Sequence, residues 1–358
     1  MSNDNKLNVL LLYGGRSTEH DVSNASAKAV ATALNHKHYN VLMVQIGRDG
    51  VWRLENGLEN GEERWLSTQP GLNYLLNTAG QKAEKIDVVF PLVHGSFGED
   101  GCLQGLLEMS ELPYVGSRVL GSALGMDKEL QKRVLNFAKI PIAPYVTFKK
   151  SDWQLNDQII IDEIEKSLRY PLFVKPVNLG SSVGISKIND PIELRAGIQT
   201  ALRFDIKIIV EQGILNAREI ECAVLDDLKP QASVLGEIKP DRDFYDYQAK
   251  YHSSTTQLII PAELDEQLAQ NLRRLAVQVF TLLEAEGLAR VDFLLNAATG
   301  EYVVNEINTL PGFTSASMYP KLWTASGLLF PQLLDRLISL ALTRSKIKAE
   351  LVREFISK

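Results

Sequence analysis

Leu7–Tyr13 reads LNVLLLY, an almost wholly apolar run that stops at Gly14-Gly15. A short apolar run closed by glycines predicts a strand buried on both faces. Ser23 stands where it could cap an alanine-rich helix running to Leu34. Tyr39–Ile46 and Ile86–Val93 predict two more strands, with a polar insertion between them. Apolar strands joined by crossover helices predict a parallel sheet covered on both faces, with its functional edge at the carboxyl ends of the strands. Gly14–Ser23 and His94–Gly101 fall at that edge.

From about Val115 the pattern changes. Asp127 predicts an N-cap for a helix carrying Leu130, Val134 and Phe137 and ending before Pro141. Strand patterns follow at Leu172–Pro176, Val183–Ile188, Ile208–Gln212 and Ile220–Leu225, so this part reads as α+β. Beyond Gly213 lie a polar, aromatic-rich stretch, Lys239–Ser254, and an amphipathic helix with Leu268, Leu272, Leu275, Ala276, Val279 and Leu283 at helical spacing. A hairpin over Ala289–Asn308 and a last helix with Leu333, Leu334, Leu337, Ile338 and Ala341 complete the chain. The Leu and Val stripes of the helices are read as core.

Length and composition narrow the class. At 358 residues the chain predicts roughly 2.4 domains, hence two or three around a cleft. Hydrophobic residues at 45% and charged residues at 23% are a globular balance, which argues against long disorder. A net charge of −6 denies the chain the overall positive field of a nucleic-acid binder. Two cysteines, Cys102 and Cys222, cannot make a disulfide framework, and reduced thiols in the cytoplasm are expected. MSNDNK leads into strand pattern without a signal-peptide profile, and the apolar stretch Leu328–Leu342 is broken by Asp335 and Arg336, too short to span a bilayer. The expectation is a cytoplasmic enzyme.

The hairpin carries the most specific chemistry. Folding it about Asn296–Gly300 sets Asp292 opposite Glu306, while alternation puts Arg290 with Asp292, and Glu306 with Asn308, on common faces. Two carboxylates and an amide oxygen there suit Mg²⁺ with substrate phosphates; the spacing alone suits a solvent-facing acidic hairpin equally. The loop Asn178–Gly184 follows a strand bearing Lys175 and could form an anion nest or a plain turn. There is no Gly-Lys-Ser/Thr and no G-x-G-x-x-G, which removes a Walker loop and a dinucleotide fingerprint. Phe244–Tyr251 could be a lid with Lys250 reaching phosphate, or an aromatic edge packed on a neighbour. The histidines form no H-E-x-x-H pair, so no zinc site is expected.

In order, Gly14–Ser23, His94–Gly101, Met126-Asp127-Lys128, Lys175 with Gly180–Gly184, Glu211, Arg218-Glu219, Tyr245–Tyr251, Ala289–Asp292 and Asn305–Thr314 resemble the D-alanine–D-alanine ligases of the ATP-grasp superfamily over essentially the whole chain. The resemblance implies an α/β and α+β protein of three domains: a parallel-sheet substrate-binding domain at 1–116, a central ATP-grasp domain at 117–212, and a C-terminal ATP-grasp domain at 213–358 with a lid at 239–254. It implies ATP, two Mg²⁺ or Mn²⁺ ions, a homodimer, and no nucleic-acid or membrane partner; a K⁺ requirement is left open. ATP would phosphorylate the carboxylate of one D-alanine, and the amine of a second would attack the acyl phosphate, in peptidoglycan precursor synthesis.

By the same resemblance, Lys128, Lys175 and Lys250 hold phosphates under Ser181, Ser182, Val183 and Gly184. Glu211, Glu219 and Phe244 meet the adenosine, and Asn305 lies among the nucleotide contacts. Asp292, Glu306 and Asn308 carry the metals, and Arg290 with the Gly312 N–H forms an oxyanion hole. Glu19 and His94 hold the first D-alanine, Ser317 and Met318 the second, and Ser181 and Tyr251 join Glu19 in a hydrogen-bonded triad. A tyrosine at 251 goes with an amine acceptor, while Gln212 departs from the lysine some members carry. The competing readings are a D-Ala–D-Lac or D-Ala–D-Ser ligase, a non-catalytic nucleotide-binding ATP-grasp protein, and a nicotinamide-dependent dehydrogenase, which the missing fingerprint disfavours.

Overall fold

The structure, a computed structural model, describes residues 6–55, 61–227, 229–239 and 256–352. The first unit comprises β1 (Leu7–Gly14), α1 (His20–Ala33), β2 (Tyr39–Ile46), β3 (Trp52–Leu54), β4 (Glu62–Glu63), β5 (Trp65–Leu66), β6 (Tyr74–Leu76), β7 (Lys82–Lys85), β8 (Val88–Pro91) and α2 (Cys102–Met109). Its main sheet runs β4-β3-β2-β1-β8. β1 pairs parallel with β2 and β8 as expected, but β3 and β4 add on antiparallel, so the sheet is mixed rather than parallel throughout. The polar insertion folds back as hairpins, which need no crossover. Along β1 the side chains alternate: Val9, Leu11 and Tyr13 enter one core with α1, while Leu10 and Leu12 enter the other with Leu103 and Leu107 of α2.

Ser23 does not cap α1. The helix begins at His20 with Glu19 at the N-cap, and Ser23 lies inside it. Its hydroxyl accepts from the Gly14 N–H at 2.7 Å and donates to the Leu92 carbonyl at 2.5 Å. It therefore ties together the ends of β1 and β8, both of which open into the site.

The middle of the chain supplies α3 (Val119–Met126), α4 (Lys128–Phe137), β9 (Tyr145–Lys149), α5 (Lys150–Leu155), α6 (Asp157–Ser167), β10 (Leu172–Pro176), β11 (Ser186–Ile188), α7 (Pro191–Ala201) and β12 (Lys207–Gln212). These strands form an antiparallel sheet, β11-β10-β12-β9. Val174, Val210 and Phe148 face a core with Ile160, Ile164, Leu194 and Ile198 of the covering helices. The other face carries Lys175 and Glu211. Asp127 caps α4 as predicted, its carboxylate accepting from the Leu130 N–H at 2.9 Å.

The apolar stripe of α4 is only partly core: Val134 packs against the core beneath the last sheet, but the other two members do not. Leu130 is 39% and Phe137 91% exposed, whereas Lys128, Glu129, Gln131 and Lys132 are buried. The helix lies between two sheets with its charged face inward, where each charge finds a partner, and that pairing permits the burial.

The last sheet runs β15-β14-β13-β16-β17, all antiparallel, from β13 (Ala217–Asp227), β14 (Lys229–Lys239), β15 (Gln257–Ile259), β16 (Leu288–Asn296) and β17 (Tyr302–Asn308). Ile220–Leu225 thus belongs to this sheet and not to the central one. One face packs on α8 (Glu266–Leu282), burying Ile220, Cys222, Val224, Val291, Phe293, Val304 and Ile307. The residues between them, Glu219, Glu221, Arg290, Asp292, Glu306 and Asn308, therefore share the opposite face. Two helices, α9 (Met318–Ala325) and α10 (Phe330–Ala349), return to the first unit and complete its core through Leu333, Leu334, Leu337 and Ile338. Among the described residues no single helix is long and apolar enough to cross a membrane.

Candidate active site

A cavity of about 180 Å³ opens where the loops after β1 and β8 meet the free face of the C-terminal sheet. Among its lining are Glu19, His94, Ser181, Glu219, Arg290, Asp292, Asn305, Glu306, Asn308, Gly312, Ser317 and Met318, all expected site residues. Lys128, Lys175, Ser182, Val183 and Glu211 sit outside that lining, on the side of the central sheet and its loop. Lys128 joins the two sides: its ammonium donates to the Leu179 carbonyl at 2.7 Å and stands 3.4 Å from Glu306. Phe244, Lys250 and Tyr251 lie outside the described residues.

Glu19 reaches the cavity from the N-cap of α1 and accepts a hydrogen bond from the Ser181 hydroxyl. Close approach here requires glycine: a Cβ on Gly95 would lie 2.6 Å, and one on Gly180 3.0 Å, from Glu19 Oε2. Ser181 and Ser182 both take positive φ, +50° and +57°, which costs about 1 kcal/mol or more each for residues with a Cβ. Val183 N–H donates to the Gly180 carbonyl at 3.2 Å and closes the turn. Backbone strain held at a loop tip is a recurrent mark of a binding loop.

His94 is 3% exposed, with Nε2 3.1 Å from Ser26 Oγ and Nδ1 3.1 Å from the Leu310 carbonyl and 3.3 Å from Glu99. Burial opposes a charge on this ring, but the Glu99 hydrogen bond and the charges of Glu99 and Glu19 outweigh it and raise the pKa above the ordinary histidine value. The Glu99 carboxyl is itself pushed up, first by burial and then by Glu19. Ser317 Oγ accepts from the Thr314 N–H at 3.0 Å, and Met318 is buried against Gly236.

The hairpin pairs Asp292 with Glu306 and Arg290 with Asn308, as the turn chemistry predicts. The register slips between Asp292 and Phe293, leaving Asn305 as the extra residue of a bulge, a device that re-aims side chains next to it. Arg290 grips Asp292 with two hydrogen bonds, Nε to Oδ1 at 2.7 Å and Nη2 to Oδ2 at 2.6 Å, and has Glu221 Oε2 at 3.2 Å. Burial disfavours its charge, yet Asp292 and Glu221 hold its pKa well above the arginine value. Asn308 Oδ1 accepts from the Leu310 N–H at 3.0 Å.

Among the described residues no three His, Cys, Asp or Glu side chains gather to hold a metal. The oxygen set of Asp292, Glu306 and Asn308 fits a hard cation that takes few protein ligands and completes its shell with phosphates. Lys128 and Arg290 stand beside these carboxylates where such a cation would bind.

Behind the hairpin lies a buried charge network. Glu211 is 4% exposed and accepts from Lys175 at 2.6 Å, with Lys132 at 3.0 Å. Burial would raise its pKa, but the two lysine charges win and lower it to about 2. Gln212 gives its carboxamide oxygen to the Arg169 N–H at 2.9 Å. Lys132, Glu221 and Glu99 went unread in the sequence. For Glu221 a signal existed, because it follows Glu219 by two residues on a strand and so shares its face.

The sheets and helices around this cavity are those of the ATP-grasp fold. The profile described as D-ala D-ala ligase N-terminus matches residues 8–117, and that described as D-ala D-ala ligase C-terminus matches residues 134–339. The chain belongs to the D-alanine–D-alanine ligase family. It is 46% identical over 343 residues to the D-alanine--D-alanine ligase of Solibacter usitatus, covering 96% of this chain and 98% of that one. With the D-alanine--D-alanine ligase of Acetivibrio thermocellus it shares 42% over 364 residues, 95% and 96% of the two chains. The D-alanine-D-alanine ligase of Coxiella burnetii superposes with a TM-score of 0.84 at 35% identity, over 98% and 97% of the two chains. The VanG D-Ala:D-Ser ligase of Enterococcus faecalis does so with 0.84 at 36%, over 94% and 99%.

Proposed function

We propose that the chain joins two D-alanines at the expense of ATP, releasing ADP and phosphate, to supply a peptidoglycan precursor in the cytoplasm. The convergence of Glu19, His94, Ser181, Arg290, Asp292, Glu306 and Ser317 on one cavity carries this reading. Glu19 holds the ammonium of the first D-alanine, and His94 lies by its carboxylate. That carboxylate takes the γ-phosphoryl group from ATP, whose phosphates rest on Lys128, Lys175 and the Gly180–Gly184 loop. Asp292, Glu306 and Asn308 would hold two magnesium ions, whose charge would offset that of the phosphate oxygens. The second D-alanine, its carboxylate on Ser317, attacks the acyl carbon with its amine. Arg290 and the Gly312 N–H stabilise the resulting oxyanion, the C–O bond to phosphate breaks, and the amine gives up its proton. The units 1–116, 117–212 and 213–358 divide the labour, the first holding D-alanine and the other two gripping ATP. A homodimer follows the family pattern, and K⁺ is a further variable to test.

Purified protein with ATP, Mg²⁺ and D-alanine should release phosphate and form the dipeptide. Turnover only when D-lactate or D-serine is the second substrate would overturn the acceptor assignment. That reading has a footing in the likeness to a D-Ala:D-Ser ligase. Tyr251→Phe should move preference toward a hydroxyl acceptor.

A further inference from the structure

Glu221 of β13, Asp292 of β16 and Glu306 of β17 are direct cross-strand partners, so their side chains leave the sheet in one row on one face. Arg290, two residues before Asp292, shares that face. Its Nε carries a single hydrogen. Asp292 Oδ1 takes that hydrogen at 2.7 Å, while Glu221 Oε2 lies 3.2 Å from the same nitrogen, close enough for an ion pair but without its hydrogen bond. Glu221 is only 5% exposed. A carboxylate that deep is costly unless a cation holds it, and Arg290 is a cation beside it.

Asp292 faces a second demand. On the function proposed above it is an oxygen donor to Mg²⁺, and a carboxylate drawn onto a divalent cation loosens a bidentate grip on a guanidinium. We propose that Glu221 is a positioning residue that takes over the Nε–H of Arg290 when Asp292 turns to metal, keeping the guanidinium fixed where the oxyanion forms. The inference rests on the ligase reading for the purpose of Arg290. The nearness of both carboxylates to Nε is a property of the chain itself.

The test is Glu221→Gln, with Mn²⁺ as the probe, titrated into the ADP complex and followed by electron paramagnetic resonance. Without Glu221, releasing Asp292 leaves Arg290 with no charged partner at Nε, so the Mn²⁺ dissociation constant should rise about 10-fold. Turnover should fall about 10- to 100-fold while KM for D-alanine moves less than about threefold. In an Arg290→Lys background the same change should alter Mn²⁺ affinity less than about twofold. Unchanged Mn²⁺ affinity in Glu221→Gln would overturn the proposal, as would equal weakening in both backgrounds, which is what a simple field effect predicts. Glu221→Asp keeps the charge but shortens the reach, and covers the case in which the glutamine variant does not fold. Weakened Mn²⁺ binding there supports the handover, and wild-type binding refutes it. The Mn²⁺ readout needs no turnover, so it judges Glu221 even if the wild type releases no phosphate with D-alanine, the result that would sink the ligase reading.

Discussion

Replacing Glu211 by glutamine would leave two ammonium groups, Lys132 and Lys175, without the carboxylate that lies 3.0 and 2.6 Å from them. Lys132 is 2% exposed, so water cannot compensate. The structure sets the magnitude. Burial alone would raise the Glu211 pKa, and the lysines instead bring it from 4.5 to about 2, which at ~1.4 kcal/mol per pH unit amounts to about 3 kcal/mol. Removing one partner from a buried ion pair typically costs about 3–5 kcal/mol, in agreement. Because the folded pKa is depressed, the contribution is complete above about 4.5 and is lost as pH falls toward about 2. Urea and thermal melts of wild type and Glu211→Gln should therefore differ most near neutral pH and converge in acid. On the proposed function, saturating ADP with Mg²⁺ should return part of the loss, since phosphate would bring negative charge to Lys175. A glutamine variant as stable as wild type at neutral pH would refute the reasoning, as would a gap that widens in acid.

Ser181→Ala removes the hydroxyl that bonds Glu19, and steady-state kinetics should show KM for the first D-alanine raised about 10-fold, the worth of a hydrogen bond to a charged group. Gly98→Ala would place a Cβ 1.8 Å from the Val93 carbonyl oxygen and should cost about 3 kcal/mol in melts. Gly105→Ala, in α2 with nothing within 4 Å, should stabilise by about 0.5–1 kcal/mol. Glu99→Gln withdraws the partner that holds the His94 pKa up. The alkaline limb of the D-alanine KM profile should then move to lower pH, and a shift to higher pH would contradict the assignment.

Legibility followed the range of the forces involved. β1 and β2 were readable as short apolar runs, and the closing hairpin because a strand's period of two and the turn at Asn296–Gly300, where Asn296 Oδ1 accepts from the Ala298 and Thr299 N–H groups, are local and fix the register. The loops Gly14–Ser23 and His94–Gly101 were readable because strand ends in such sheets carry function, while the roles of Glu19 and His94 within them came only from the family resemblance. The membership of Ile220–Leu225 in the last sheet was not readable from its strand pattern, since nothing in that pattern names its neighbour; only the resemblance, with its domain boundary at 212/213, placed it there. Neither was the mixed pairing of the first sheet, for the same reason.

The charged interior of α4 shows the deeper obstacle. Periodicity assigns burial by residue type, so Leu130 and Phe137 were read as core and Lys132 was passed over. The structure exposes those two, and it buries Lys132 because Glu211, contributed by a distant strand, lies 3.0 Å from it. The same holds for Glu221, whose depth is intelligible only beside Arg290. Hydrophobic burial is a property of one residue and can be summed along a chain, whereas buried charge is a property of a pair, and the pair exists only after folding. An active site that handles ATP and carboxylates must be built from such pairs. The residues hardest to read from this sequence, Lys132, Glu99 and Glu221, are accordingly those that hold the recognisable ones in place.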